Sequence, residues 1–328
     1  IHNNAVYFRS FIEAMMFPMK MYVGITDYDW YKTLKQANCD EVNFWKPGGR
    51  TNFKALNEGD LFLFKTHSPR NYIVGGGFFL KFSILPSSLA WDAFGIANGA
   101  SSLMELNDRV YKYKKTDRFF DPDPQIGCII LSMPFYFDEK DWIPQPNDWN
   151  SNIVQGKTYK TSEPVGLSLY EHVQDRLRNS EAMRSGQVNE DPLANRYGKE
   201  RLMKPRMGQG AFKVLIADAY HRRCAITGEK TLPVLEAAHI KPYSMNGPHE
   251  IKNGLLLRSD FHTLFDRGYI TIDNTLNVEV SHHIKEDFGN GKEYYAFHGS
   301  KLTVLPERGD QLPDRHYLEW HNENVYLG

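Results

Sequence analysis

The sequence predicts an α+β protein with two structured regions, and three observations carry that prediction. Segments between Met21 and Phe137 alternate and cluster apolar residues as strands do. A later stretch, from about residue 210 to Asp273, reads as a helix followed by the order ββα and one extra strand. Between them lies a connector rich in Pro, Asn and Gly. The chain has 328 residues, longer than the usual domain of about 100 to 200 residues, so two separate cores are expected. The expected division is 1–140 for the first domain, 141–195 for a linker with a helix, and 196–328 for the second domain.

The strand segments of the first region are MYVGI, DLFLFKTHS, YIVGGGFFLKFSIL and GCIILSMPFYF, rich in β-branched and aromatic residues and bounded by turn formers. Helices are expected at DWYKTLKQ and SSLMELNDRVYKYKK. Gly59-Asp60 opens a strand, Ser68-Pro69 marks a turn, and Gly75 to Gly77 permit a bulge or a close approach of backbones. Leu169, Val173 and Leu177 repeat at helical spacing in the linker, where a helix between the domains is expected. A polar loop then leads into the helix GAFKVLIADAYHRR.

Composition excludes several classes. With 41% hydrophobic and 24% charged residues the chain is an ordinary globular one. No membrane-length apolar segment occurs, and Glu13 breaks the short apolar run near the start, so a membrane partner and secretion are not expected. Cys39, Cys128 and Cys224 have no CxxC spacing, which argues against a disulfide scaffold and a zinc ribbon and for a reducing, cytoplasmic setting. The net charge of -1 conceals a basic stretch from Arg196 to Arg223, where eight Lys/Arg face two acidic residues. Such a cluster is either a solvated face or a surface that neutralises phosphates.

The pattern GD, strand, turn, strand with accompanying aromatics resembles the PUA-like superfamily that includes EVE and YTH domains. That resemblance implies a small β-barrel with helices that stacks a flipped-out, modified base against aromatic walls. Trp30, Tyr31, Phe44, Trp45 and Trp91 are the candidate walls, with placement in the core as the plain alternative for each.

The second region contains AHIKP, an Asn-Gly fourteen residues after His239, and His262 nine residues after Asn253. Together with MGQGAFK, RRCAITG, LFDRGYITID and YLEWHNENVYLG, these blocks resemble the HNH nuclease superfamily, in a subgroup found among restriction endonucleases. The fold implied is a ββα-metal finger. Phosphodiester hydrolysis needs water deprotonated near neutral pH, a task suited to histidine, so His239 is the expected general base. Asn253, by the resemblance, fixes the loop that aims the base. His262 and Asp266 are four apart on a helix, share one face and are the expected metal pair, as colicin-type members imply. Mg²⁺ or Mn²⁺ fits one imidazole and one carboxylate, and Zn²⁺ is the alternative.

Two departures stand out. Many family members carry Asp or His immediately before the base, where this chain has Ala238; Glu236 or Asp260 is then left to complete the ligands. The CxxC pairs of zinc-stapled members are missing, so no structural zinc is expected, and Leu255, Leu256, Leu257, Leu264 and Phe265 form the expected core. His249 reads as a surface residue or a phosphate contact, and His282, His283, His298 and His321 have no comparable constellation. Taken singly, His239 reads as a structural histidine and His262 with Asp266 as a helix-surface pair; the shared spacing is what favours chemistry.

The expected DNA contacts are Lys204, Arg206, Lys213, Arg222 and Arg223, with Arg258 and Arg267 beside the metal helix placed to hold the scissile phosphate. The resulting expectation is a modification-dependent restriction endonuclease, type IV or IIM-like, that cuts double-stranded DNA bearing a modified base, cytosine foremost. Cutting both strands needs two sites, hence a homodimer. The rivals are an HNH endonuclease reading unmodified sequence and a catalytically silent nucleic-acid-binding protein.

Overall fold

The computed structural model describes residues 19–48, 52–185 and 207–328. Contacts divide the chain into two units, Ile1–Arg206 and Met207–Gly328.

The first unit is built on a seven-stranded mixed sheet. Its elements run β1 (Lys20–Thr26), α1 (Tyr28–Ala37), β2 (Glu41–Lys46), β3 (Leu61–Thr66), β4 (Tyr72–Pro86), α2 (Ser87–Phe94), α3 (Leu103–Lys114), β5 (Gln125–Tyr136), β6 (Ile143–Pro144), β7 (Gly156–Lys160) and α4 (Pro164–Ser185). The strand order is β2-β5-β4-β3-β1-β7, with β6 on β4. Only β1 and β3 run parallel. Among the described residues no ladder joins β2 to β7, so the hydrogen-bonded path is open.

β3 explains the layering. Its sequence LFLFKT is apolar at every early position because both of its faces are covered. Leu61 and Leu63 enter a core with Met21, Val23, Leu169 and Val173, while Phe62 and Phe64 enter another with Trp30, Leu34, Phe44 and Ile129. The period of two sends alternate side chains to opposite faces, α4 covering one and α1 the other. The stretch expected as a linker therefore contributes β7 and α4 to this unit, with Tyr159 and Val173 fully buried in its core.

The triple glycine does what its sequence suggested. A Cβ on Gly75 would collide with the Phe135 carbonyl and one on Gly76 with that of Phe62, and the β4–β5 register shifts between Gly76 and Phe78. At the start of α3, the Ser102 hydroxyl accepts from the Glu105 N–H at 3.2 Å, and Glu105 reaches back to the Ser101 N–H at 2.8 Å. β2 and α2 were not foreseen: EVNFWK mixes charge and amide with only three apolar residues, and SSLAWDAF is a short helix with no side-chain cap.

The second unit contains α5 (Gln209–Ala219), β8 (Leu235–His239), β9 (Gly254–Arg258), α6 (Ser259–Asp266), β10 (Ile270–Ile272), β11 (Val278–Val280), α7 (His283–Phe288), α8 (Lys292–Tyr295) and α9 (Arg315–Asn324). β8 and β9 pair antiparallel with His239 opposite Gly254 and Ala238 opposite Leu255, and α6 follows directly, which is the ββα order. Leu255, Leu256, Leu257 and Phe265 are buried, and Leu264 packs partly buried against them. Cys224 is buried there too, its sulfur accepting from the Arg258 and Thr227 backbone N–H groups at 3.3 and 3.4 Å. Among the described residues of both units, no helix is long and apolar enough to cross a membrane.

α9 locks α6 through His321. Its ring stacks on Phe265 at 3.8 Å between centroids. Nε2–H donates to the Phe265 carbonyl at 3.1 Å, which leaves Nδ1 to accept from the Thr271 hydroxyl at 2.8 Å. Burial pushes this imidazole down to about 4, the carbonyl bond opposing. The native state therefore binds fewer protons than the unfolded one between about pH 6.5 and 4, and stability present above 6.5 is lost as pH falls toward 4. We predict a loss of about 3 kcal/mol from this group across that window, measured by urea unfolding at stepped pH, and a flatter dependence in His321→Gln.

Candidate active site

The site forms where the end of β8, the loop returning to β9 and the first turns of α6 meet. His239 closes β8, with its imidazole stacked flat on Phe212 of α5 at 3.9 Å and 10°. Its Nε2 lies 2.9 Å from Nδ1 of His249, on the returning loop. Burial, then the charges of His249 and His262, pushes His239 down to about 4. It is thus unprotonated at neutral pH, the state a base requires. Burial also holds His249 below its ordinary value, and Tyr243 stacks on its ring at 4.5 Å and 9°.

Asn253 is fully buried and uses its whole amide. Its Oδ1 accepts from the Lys241 N–H at 2.9 Å, while Nδ2 donates to the carbonyls of Lys241 at 3.0 Å and Pro248 at 2.9 Å. Both ends of the loop are thereby fastened to one side chain. Gly254 must be glycine by close approach, since a Cβ there would run into Ile216 and Phe212, the ring that stacks on His239.

His262 on α6 sits between two carboxylates. Nδ1 lies 2.6 Å from Glu236 Oε2 and Nε2 lies 3.3 Å from Asp266 Oδ2. A neutral imidazole has one N–H, so donation from Nδ1 to Glu236 leaves the Nε2 lone pair beside the Asp266 oxygen. Two donors each about 2.1 Å from one ion, at angles between octahedral and tetrahedral, lie about 3.0 to 3.4 Å apart. The separation of 3.3 Å fits, and the Asp266 carboxylate is 56% exposed, open to water and phosphate. Burial raises the Asp266 carboxyl, with His262 opposing and Glu236 adding.

The open question at Ala238 has a structural answer. Ala238 is fully buried in the finger core, whereas Glu236 is 52% exposed and bonded to His262. Asp260, the other candidate for completing the ligands, is held by the Arg258 fork through two bonds of 2.7 Å and by the Tyr294 hydroxyl at 3.3 Å. Arg258 is accordingly closed on a carboxylate, and its guanidinium lies over Phe261.

The other basic residues differ in placement. Arg267 is exposed just past α6, Lys213 is half-buried on α5, Arg222 pairs with Asp218 at 3.2 Å, and Arg223 donates to the Gly228 carbonyl at 3.3 Å. Lys204 and Arg206 lie outside the described residues. His282 and His283, which showed no constellation in the sequence, converge with Glu286 so that their donor atoms lie within 4.8 Å of one another. Phe212, Tyr243 and the bond to His249 were missed as parts of the site. Their one sequence signal is that His249 follows His239 by ten residues within a single loop.

The first unit carries a cavity of about 240 Å³ walled by Tyr22, Trp30, Phe44 and Trp45, with Asp27, His67 and Tyr113 at its polar edge. Trp30 and Phe44 meet edge to face at 5.3 Å. Gly99, at φ 74°, lies where a Cβ would strike the Trp30 indole. Two of the expected walls are absent. Tyr31 is buried with its hydroxyl donating to the Phe137 carbonyl at 2.8 Å, and Trp91, on α2, is half-buried away from the cavity.

We predict that Asn253→Ala destabilises the protein by about 2 to 4 kcal/mol, because it strands three partly buried backbone groups. Asn253→Asp keeps only the bond accepted from the Lys241 N–H, since a carboxylate cannot donate to the two carbonyls; urea midpoints of the variants check both.

Residues 224–273 match the HNH endonuclease family model. No curated protein matches the chain. Among solved structures, ASCH from Zymomonas mobilis is similar at 10% identity over 46% of this chain and 94% of that one, with a TM-score of 0.32. A modification dependent TagI restriction endonuclease is similar at 13% identity over 87% of this chain and 75% of that one, with a TM-score of 0.26. The ββα finger with His239, Asn253 and His262 in place lies within the matched segment, so residues 224–273 are an HNH endonuclease domain.

Proposed function

We propose that the chain is a modification-dependent restriction endonuclease that hydrolyses DNA with the second unit and reads a modified cytosine with the first. The observation that carries the nuclease half is one finger holding a neutral, stacked histidine and, within electrostatic reach, a His–Asp pair spaced for one divalent ion. His239 removes the proton from a water, whose oxygen attacks phosphorus in line with the departing 3′ oxygen. His262 and Asp266 hold the ion, Mg²⁺ or Mn²⁺, with Glu236 fixing the His262 ring. When bound, that ion supplies Lewis-acid stabilisation to the charged phosphate oxygens. Arg267 and Lys213 contact the DNA backbone, and two copies of the chain cut the two strands.

The aromatic cavity supports the reading of a flipped base. Trp30, Phe44 and Trp45 offer the π-faces that an unstacked base needs, and the Asp27 carboxylate, which accepts from the Tyr113 hydroxyl at 2.7 Å, is suited to the exocyclic amino group of cytosine.

With Mg²⁺ or Mn²⁺ present, His239→Ala is expected to abolish cleavage while leaving DNA binding nearly intact. The wild-type rate should have its acid limb below pH 6, toward the His239 value of about 4, instead of at the ordinary histidine value. A duplex panel carrying cytosine, methylcytosine, hydroxymethylcytosine, glucosylated cytosine or methyladenine tests the reader, and equal cutting of all five contradicts it. Trp45→Ala should weaken binding to the preferred duplex by about 5- to 150-fold, the worth of one base–aromatic stack.

A further inference from the structure

The assignment of His239 as base leaves a question of protons that the structure answers. One hydrogen lies between His239 Nε2 and His249 Nδ1, which are 2.9 Å apart. If His249 supplies it, neutral His239 carries its own hydrogen on Nδ1 and has no free lone pair for a water. If His239 supplies it, Nδ1 of His239 is bare and basic.

The surroundings hold the pair in one arrangement. Phe212 lies flat against His239, and Tyr243 lies flat against His249. Pro248, the residue before His249, has its carbonyl bonded to Asn253. Gly247 approaches the Lys241 carbonyl so closely that a Cβ has no room, which draws the loop tightly back beside the end of β8. His249 is therefore fixed in its backbone and in its ring plane.

We propose that His249 is the positioning residue of the base: it accepts the Nε2–H of His239 and so keeps Nδ1 of His239 free to take the proton of the attacking water. In the step, the water O–H bond breaks, its proton goes to Nδ1, and its oxygen forms the new bond to phosphorus as the 3′ oxygen departs with the electron pair of the broken bond. His239 is then an imidazolium, and its Nε2–H bond to His249 becomes charge-assisted. The proton leaves Nδ1 to solvent after turnover, restoring the neutral pair. The role goes beyond the nuclease reading, on which it rests, by giving the loop histidine a task of its own.

The test compares two substitutions in the full chain. His249→Asn keeps an acceptor oxygen near the place of Nδ1, whereas His249→Phe keeps the stacking on Tyr243 and removes the acceptor. With Mn²⁺ and a cleavable duplex, His249→Phe is expected to lose about 10- to 100-fold in kcat with KM little changed, the scale on which orienting partners act. His249→Asn should recover most of that loss. A role in packing alone gives the reverse order, and wild-type kcat in His249→Phe, or equal impairment of both variants, overturns the proposal. Nitrogen-15 NMR of the histidine rings, without substrate, reads the tautomer directly. His239 protonated on Nε2 in the wild type supports the assignment, and His239 protonated on Nδ1 overturns it. A wild type that cuts no duplex with either metal removes the nuclease reading, while the NMR result still decides the role of His249.

Discussion

The second unit depends on the buried amide of Asn253. A loop of more than a dozen residues separates β8 from β9, and chain entropy works against any single arrangement of its ends. Three hydrogen bonds from one side chain tie Lys241 and Pro248 to the residue just before β9. Because Gly254 pairs opposite His239, that tie sets His239 and the start of β9 together. α6 follows β9 without a linking loop, so the same constraint reaches His262 and Asp266. Each polar atom of the amide is used, and no other neutral side chain of that size offers one acceptor and two donors.

The finger gives its two key histidines different surroundings, which suit the different tasks proposed for them. His239 lies against an aromatic face and a second histidine, which disfavour its charge and keep a lone pair for a proton. His262 lies between two carboxylates, Glu236 at Nδ1 and Asp266 at Nε2, the arrangement that suits the proposed ion site. Ala238 is buried, and the carboxylate that bonds the His262 ring comes from Glu236, two residues earlier on the strand. Glu236 supports the ring from there, and core packing occupies the position next to the base.

Much of this was legible in the sequence, because the residues with fixed chemistry keep fixed spacing. The ββα order and the shared helix face of His262 and Asp266 follow from local periodicity, and the spacing of His239, Asn253 and His262 was legible through its resemblance to the HNH superfamily. What was not legible depends on tertiary contact. Phe212 is remote from the motif, and only packing of α5 under β8 and β9 brings it to His239. His249 looked like a loop surface residue because nothing local shows that Gly247 folds the loop back. In the first unit, aromatic content marked Trp30, Phe44 and Trp45, but period alone cannot tell a cavity wall from a core residue. Tyr31 and Trp91 were separated from them by which helix face is covered. The connector carried turn formers, yet β7 and α4 bury apolar residues in the first core, a long-range pairing that local composition does not reveal.

The central claim is that His262 and Asp266 hold one divalent ion while His239 does not. Mn²⁺ binding followed by electron paramagnetic resonance on the full chain tests it most directly. The account predicts one tight Mn²⁺ per chain that is lost in His262→Ala and strongly weakened in Asp266→Asn, yet retained in His239→Ala. Retention of that ion in His262→Ala, or its loss in His239→Ala, would contradict the account.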